Sequence, residues 1–324
     1  MRRRASLPLR GATDTIGGWT DDARSAGVRP MFGGSIVALV TPMHGDGSLD
    51  LEALGRLVEF HVEAGTDGLV ICGTTGESPC IEPAELDTLV RAAVEAASGR
   101  AAIIGGSGSN STAHALELTR VVSRAGAAAA LVVTPYYNKP TQQGLYLHYE
   151  LLAREGGVPL ILYNVPGRTA CDLLPETVAR LAELPGIVAL KEAVPGRERV
   201  TRLVELVGGR LDLLSGDDAT AMAFMHAGGD GVISVSANVA PRLMHGLCEA
   251  ACHGEHRKAE ALDDRLAGLY RAMFVEPSPI PVKWAVMQMG LINAGIRLPL
   301  TPLEPGNYDE VRAAMARAGV EYNS

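Results

Sequence analysis

Eight short apolar runs, each followed by a longer stretch of helical period, constrain this chain more than any other feature. The runs are SIVALV (35–40), GLVIC (68–72), AAIIGG (101–106), AALVVT (129–134), PLILYN (159–164), GIVALKE (186–192), LDLLSG (211–216) and GVISVS (231–236). They are continuously apolar rather than alternating, which suits strands buried on both faces of a parallel sheet. Segments such as LEALGRLVEFHVEAG (51–65) and PAELDTLVRAAVEAAS (83–98) supply the helices between them. Eight β-then-α units are the count of a TIM (β/α)8 barrel. A doubly wound open sheet is the alternative, but it usually has fewer strands and carries its glycine cradle after the first one. Here the first run ends in TPM (41–43), and GGSGSN (105–110) follows the third without the dinucleotide spacing.

The barrel is expected over 31–254 and a C-terminal helical region over 255–324. EHRKAEALDDRLAGLYRAMF (255–274) is amphipathic, and EPSPIPVK (276–283) carries three prolines, which predict an extended corner before the next helix. Residues 1–30 are rich in Arg, Gly, Asp and Thr, lack the apolar stretch of a secretory signal and read as a disordered extension, with Met31 the expected start of the natural protein. With 47% hydrophobic but only 4% aromatic residues, the core must be aliphatic. A net charge of −8 argues against nucleic acid as a partner. The apolar runs are far shorter than the ~20 residues of a membrane span. Five cysteines without a CxxC pair read as reduced thiols of a cytoplasmic protein.

In a barrel of this kind the site lies at the C-terminal ends of the strands, where the βα loops converge. Those ends carry GTTGE (73–77), TPYYNKP (134–140), YNVPGRT (163–169), KEA (191–193), SGDD (215–218) and SVSAN (234–238). Lysine is scarce, and of Lys139, Lys191, Lys258 and Lys283 only Lys191 ends an apolar run. Desolvation there favours the neutral, nucleophilic amine. The competing reading is a buried ion pair with the adjacent Glu192. Lys258 reads as a surface charge, Lys139 as a loop residue and Lys283 as an ion pair or cap opening a helix. Tyr163 ends the neighbouring run and offers a phenol that can give and take a proton, or is a core tyrosine. Arg168, in a glycine-containing loop, offers a carboxylate fork or a structural ion pair. Thr74 and Thr75 offer hydroxyls and amides, or a capped turn. Glu77 is read as orienting its loop, and Asp217 and Asp218 as an N-cap and a first-turn acid.

No metal constellation is legible. The eight histidines are scattered, which favours a lysine imine over metal enolisation. Cys248, Cys252 and His256 have the spacing of one helix face, but one helix supplies no convergent ligands.

Together GSIVALVTPM (34–43), GTTGES (73–78), TPYYNKPTQ (134–142), YNVPGRT (163–169), ALKEA (189–193), SGDDA (215–219), GVISVSAN (231–238) and PIPVKWA (279–285) resemble the pyruvate-dependent aldolase and lyase superfamily, and within it the dihydrodipicolinate synthase family most closely. The resemblance implies a lyase of the class I, Schiff-base kind, condensing pyruvate with L-aspartate 4-semialdehyde in lysine and diaminopimelate biosynthesis. It implies no cofactor beyond the covalent pyruvate imine on Lys191. Tyr163, Thr74 and Tyr137 match the family's proton relay, with Tyr137 reaching into a neighbouring subunit of a homotetramer built from tight dimers. Thr74 and Thr75 match the holders of the pyruvate carboxylate, Arg168 the holder of a carboxylate at the entrance, and Ile233, placed after the eighth strand, a position whose carbonyl faces pyruvate. One departure stands out. Where lysine-inhibited members carry histidines and an acid, this chain has Pro83, Leu86 and His114, although Ser78, Asn110 and Tyr136 remain. Weak feedback inhibition by lysine is therefore expected. Alternatives are another Schiff-base 2-keto-acid aldolase acting on a sugar acid, and a catalytically inactive barrel serving as a scaffold.

Overall fold

The computed structural model describes residues 31–322; the extension expected over 1–30 lies outside the described residues. Eight parallel strands close on themselves in sequence order. They are β1 (Gly34–Ala38), β2 (Gly68–Ile71), β3 (Ala102–Gly106), β4 (Ala129–Val133), β5 (Leu160–Asn164), β6 (Ile187–Glu192), β7 (Asp212–Ser215) and β8 (Gly231–Ser234). Each lies within one of the apolar runs, apart from the leading Gly34, and the expected TIM (β/α)8 barrel is met.

The strands' period of two divides their side chains between two cores. Ile36, Val70, Ile104, Leu131, Ile161, Ala189, Leu214 and Ile233 fill the barrel interior. Their neighbours Val37, Leu69, Ile103, Val132, Leu162, Leu190, Leu213 and Val232 face the surrounding helices. Both sets being apolar explains why the runs read as continuous. Closure between β8 and β1 is reinforced by Asn238, which accepts from the Val40 amide at 3.0 Å and donates to the Ala38 carbonyl at 2.8 Å.

The helices start where local chemistry directs. Asp50 caps the helix Leu51–Glu63 by accepting from the Ala53 amide, which meets one of the N–H groups that a helix start leaves unpaired. Glu82 and Glu85 form a capping box on Pro83–Ala97. After the eighth barrel helix, Pro241–Cys252, come the helices His256–Ala272, Ile280–Gln288 and Tyr308–Ala318. Trp284 stacks on Tyr308 with ring centroids 4.6 Å apart.

Two expectations are corrected here. The proline corner is shorter than predicted, because the helix Ile280–Gln288 begins inside it, with proline at its start. Proline is tolerated in a first helical turn, where its missing N–H has no partner to lose. Cys248, Cys252 and His256 do not share a helix: Gly254, at φ +72°, separates Pro241–Cys252 from His256–Ala272. No group of three or more metal-ligating side chains gathers among the described residues, and no helix there is long and apolar enough to cross a membrane.

Candidate active site

Lys191 and Tyr163 are direct partners in the β5–β6 register. Both side chains point into the barrel, by the same alternation that sends Ala189 and Ile161 inward. The Lys191 Nζ lies 4.2 Å from the centroid of the Tyr163 ring. The two residues are 5% and 6% exposed. The amine is therefore nearly dry and held against an aromatic face, with a phenol on the same ring system.

The alternative pairing of Lys191 with Glu192 is not what forms. Glu192 points to the opposite face of β6, where its carboxylate accepts from Arg199 Nε at 3.0 Å, the Val194 amide at 2.8 Å and Asn164 Nδ2 at 3.1 Å. Asn164 is the register partner of Glu192. Asn164 also donates to Asp172 at 2.8 Å, and Arg199 reaches the same carboxylate at 2.9 Å. One step outside the Tyr163–Lys191 pair, a polar clamp thus ties β5 to β6. Burial pushes the Glu192 carboxyl above its ordinary range, and the Arg199 charge is the largest influence opposing it. Sequence reasoning missed this clamp. Period-two alternation on β6 is the signal that could have put Glu192 on the face opposite Lys191, but nothing in the sequence identifies Arg199 and Asp172 as its companions.

Gly216, just past β7, makes room for the lysine. A Cβ there would lie 3.1 Å from Lys191 Cε, 2.9 Å from Ala193 Cβ and 3.2 Å from the Glu192 carbonyl oxygen. Gly216→Ala therefore pushes the amine off its position. We expect the reaction of the Lys191 amine with a carbonyl compound, read by borohydride trapping, to slow by about tenfold or more, as misplacement of a reacting group does. Trapping at the parent's rate in a folded Gly216→Ala protein would show that the lysine has room to spare.

The other expected site residues fall into three groups. Thr74, Arg168 and Tyr136 line one cavity of about 460 Å3, together with Ser78, Gly108, His114 and Val165. Thr74 and Tyr163 also line a small neighbouring cavity with Ser107 and Gly108, so Thr74 is common to both spaces. Thr75 is buried beside Thr74 in the turn after β2. Tyr137 stands apart, 88% exposed at φ +74°, and no part of its own barrel covers it. Two placements differ from expectation. Arg168 sits on a short helical turn, Pro166–Thr169, rather than in a loop. Ile233 lies inside β8, opposite Ile36, rather than after it, because the strand Gly231–Ser234 takes up the first four residues of the apolar run.

Asp217 accepts from the Thr220 amide at 3.1 Å, as an N-cap should. Asp218 does more than a first-turn acid: buried, it accepts from the amides of Val235 and Ser236, so it anchors the loop after β8. Glu77 is buried and bonded to Lys283 at 2.5 Å and to the Arg297 amide at 2.9 Å. Its reading as a loop-orienting group, and that of Lys283 as an ion-pair partner, describe these contacts.

Fold and site define a (β/α)8 barrel with a buried lysine at its mouth, the frame of a lysine-dependent aldolase or lyase. Within that class, the chain belongs to the Dihydrodipicolinate synthetase family, which matches residues 31–318. It is 55% identical over 285 residues to the 4-hydroxy-tetrahydrodipicolinate synthase of Nitrosococcus oceani, covering 88% of this chain and 98% of that protein. It also superposes with a TM-score of 0.88 on the chloride-inhibited dihydrodipicolinate synthase of Acinetobacter baumannii complexed with pyruvate. That chain is 47% identical, with 89% of this chain and 99% of that one covered. The dihydrodipicolinate synthase of Cyanidioschyzon merolae with lysine bound gives a TM-score of 0.88 at 36% identity, over 90% of this chain and 100% of that one.

Proposed function

We propose that this protein condenses pyruvate with L-aspartate 4-semialdehyde, the activity of a 4-hydroxy-tetrahydrodipicolinate synthase. The observation that carries the proposal is the cross-strand pair, with the Lys191 amine 4.2 Å from the Tyr163 ring centre in a nearly dry pocket. Lys191 attacks the keto carbon of pyruvate, and loss of water leaves an imine. Forming and dehydrating the carbinolamine needs a group that both donates and accepts a proton, and Tyr163, whose ring centre lies 4.2 Å from the amine, supplies a phenol for it. Loss of a methyl proton from the imine gives an enamine, whose carbon attacks the aldehyde of the second substrate. Thr74, shared by the two cavities, continues the relay from Tyr163 toward the larger space. Thr74 and Thr75 hold the pyruvate carboxylate. Arg168, on the wall of the larger cavity, takes the carboxylate of the semialdehyde in two-point geometry. Ile233 presents its backbone carbonyl to the bound pyruvate. No cofactor is needed beyond the covalent imine.

Tyr137 completes the relay from a neighbouring subunit. Its exposure and its backbone in the left-handed region suit a side chain presented outward to another copy of the chain. The exposed Tyr137 supports a contact between copies, and we propose that the assembly is a homotetramer of tight dimers working in the cytoplasm.

A sugar acid as second substrate fits the larger cavity less well, because a polyhydroxylated chain needs hydroxyl partners where Arg168 offers a guanidinium. The purified protein, given pyruvate with L-aspartate 4-semialdehyde or with aldoses, discriminates the two. Turnover with the semialdehyde at least about a hundredfold more efficient is expected; a preference for an aldose would overturn the assignment.

The cavity wall also bears on regulation. Pro83 and His114 line it beside Ser78 and Tyr136. The pyrrolidine ring of Pro83 offers no donor, and His114 no permanent negative charge to an ammonium group. We therefore expect weak inhibition by L-lysine. Half-inhibition at low millimolar lysine or below in a steady-state assay would contradict this.

A further inference from the structure

The turn that carries Thr74 and Thr75 is held from the far end of the chain. Within the turn, the amides of Gly76 and Ser78 donate to the Gly73 carbonyl and that of Glu77 to Thr74. Glu77 itself sits in the left-handed region at φ +60°, a conformation that a non-glycine residue keeps only when its surroundings hold it there. Both of its carboxylate oxygens are committed. One accepts from Lys283 Nζ at 2.5 Å, and the other from the Arg297 amide at 2.9 Å. The Glu77 and Lys283 side chains are 0% and 5% exposed. The Arg297 guanidinium then clasps the segment that follows, donating to the Cys80 carbonyl at 2.6 Å and to both oxygens of Glu85 at 2.7 and 2.6 Å. Residues 283–297 thus grip 77–85 across more than two hundred positions of sequence.

We propose that the buried Lys283–Glu77 pair is a positioning element for pyruvate binding: it fixes the strained Gly73–Glu77 turn so that Thr74 and Thr75 meet the pyruvate carboxylate in line with Lys191. This rests on the reading above, in which those threonines hold that carboxylate. Lys283 and Glu77 touch no substrate; they act through the turn. Taking away one member leaves a buried charge without its partner, which the site relieves by shifting the turn or by changing protonation. In either case the ionic tether is gone, and the turn is free to carry the threonines away from their line with the amine.

The test is the pyruvate dependence of borohydride trapping on the full-length protein. It uses Lys283→Met, Glu77→Gln and the double variant, with thermal unfolding run alongside. Each single variant is expected to raise half-saturating pyruvate about tenfold or more while reaching a trapping plateau close to the parent's. A merely structural loss would instead lower the fraction of competent protein and leave half-saturation where it was. The double variant, lacking the orphaned charge but also the tether, is expected to stay raised by at least about threefold yet fall well short of the product of the single effects. Half-saturation within twofold of the parent in folded single variants, or strictly multiplicative losses in the double, would overturn the proposal. Where a single variant does not fold, the double decides by itself: raised half-saturation supports the proposal, and the parent's value overturns it. No adduct in the parent would remove the underlying reading and this inference with it. A parent adduct with unshifted variants removes this inference alone.

Discussion

Lys191→Met is expected to abolish borohydride-trapped pyruvate and to lower kcat/KM by at least about 10^4-fold, the scale on which losing the nucleophile of a covalent mechanism is felt. Methionine is chosen because it keeps an unbranched chain of similar length against the Tyr163 ring, so the packing of β5 on β6 survives. Size alone cannot then account for the loss. The other three lysines do not substitute. Lys283 is spent on Glu77, Lys258 pairs with Glu255 on a helix surface at 2.9 Å, and Lys139 sits on the loop after Tyr137. A Lys191→Met protein that retains a hundredth of the parent activity would require a mechanism without the imine.

The second large effect concerns stability. Arg199→Met removes the cation shared by Glu192 and Asp172. Glu192, its side chain fully buried, is left with only the Val194 amide and Asn164, and breaking a buried pair in this way costs about 3–5 kcal/mol. The pH dependence has a definite sign. Burial already holds the folded-state pKa of Glu192 above its ordinary value, and Arg199 is the largest force pulling it down. A carboxyl with a raised folded pKa binds its proton more tightly in the folded protein. Stability is therefore lost as the pH climbs from the ordinary carboxylate pKa toward the folded one. Deleting Arg199 moves the upper edge of that window higher. The deficit of Arg199→Met against the parent should be smaller near pH 5 than at pH 8, measured by urea unfolding with the slope unchanged. A deficit equal at both pH values would mean that Glu192 does not titrate in the clamp.

The barrel was legible because its strands are apolar on both faces, which leaves runs of Val, Ile and Leu that few other architectures need. Helix starts were legible where Asp50 and the Glu82–Glu85 box announce them. The proline corner misled because a proline reads as a breaker unless it falls in a first turn, as Pro281 does. The spacing of Cys248, Cys252 and His256 suggested one helix, but spacing is blind to a glycine that reverses the backbone between them. Ile233 was placed after the strand by the family resemblance, although the apolar run 231–236 and the strand Gly231–Ser234 both contain it.

At the site, what local pattern could reach was the strand-end position of Lys191 and Tyr163 and the place of Arg168 in the segment after β5. Their mutual placement needed the register, which pairs Tyr163 with Lys191 and Asn164 with Glu192. The grips of Arg199 on Asp172 and Glu192 and of Lys283 on Glu77 join residues that only the closed barrel brings together. Gly216 was invisible for a different reason: its role is the space it leaves, and an absent side chain has no pattern.

The most direct test of the account is to incubate the protein with pyruvate, reduce with borohydride and map the adduct by peptide mass. The account predicts a single modified residue, Lys191, carrying pyruvate through a reduced carbon–nitrogen bond. An unmodified Lys191, or an adduct on Lys139, Lys258 or Lys283 instead, would contradict it.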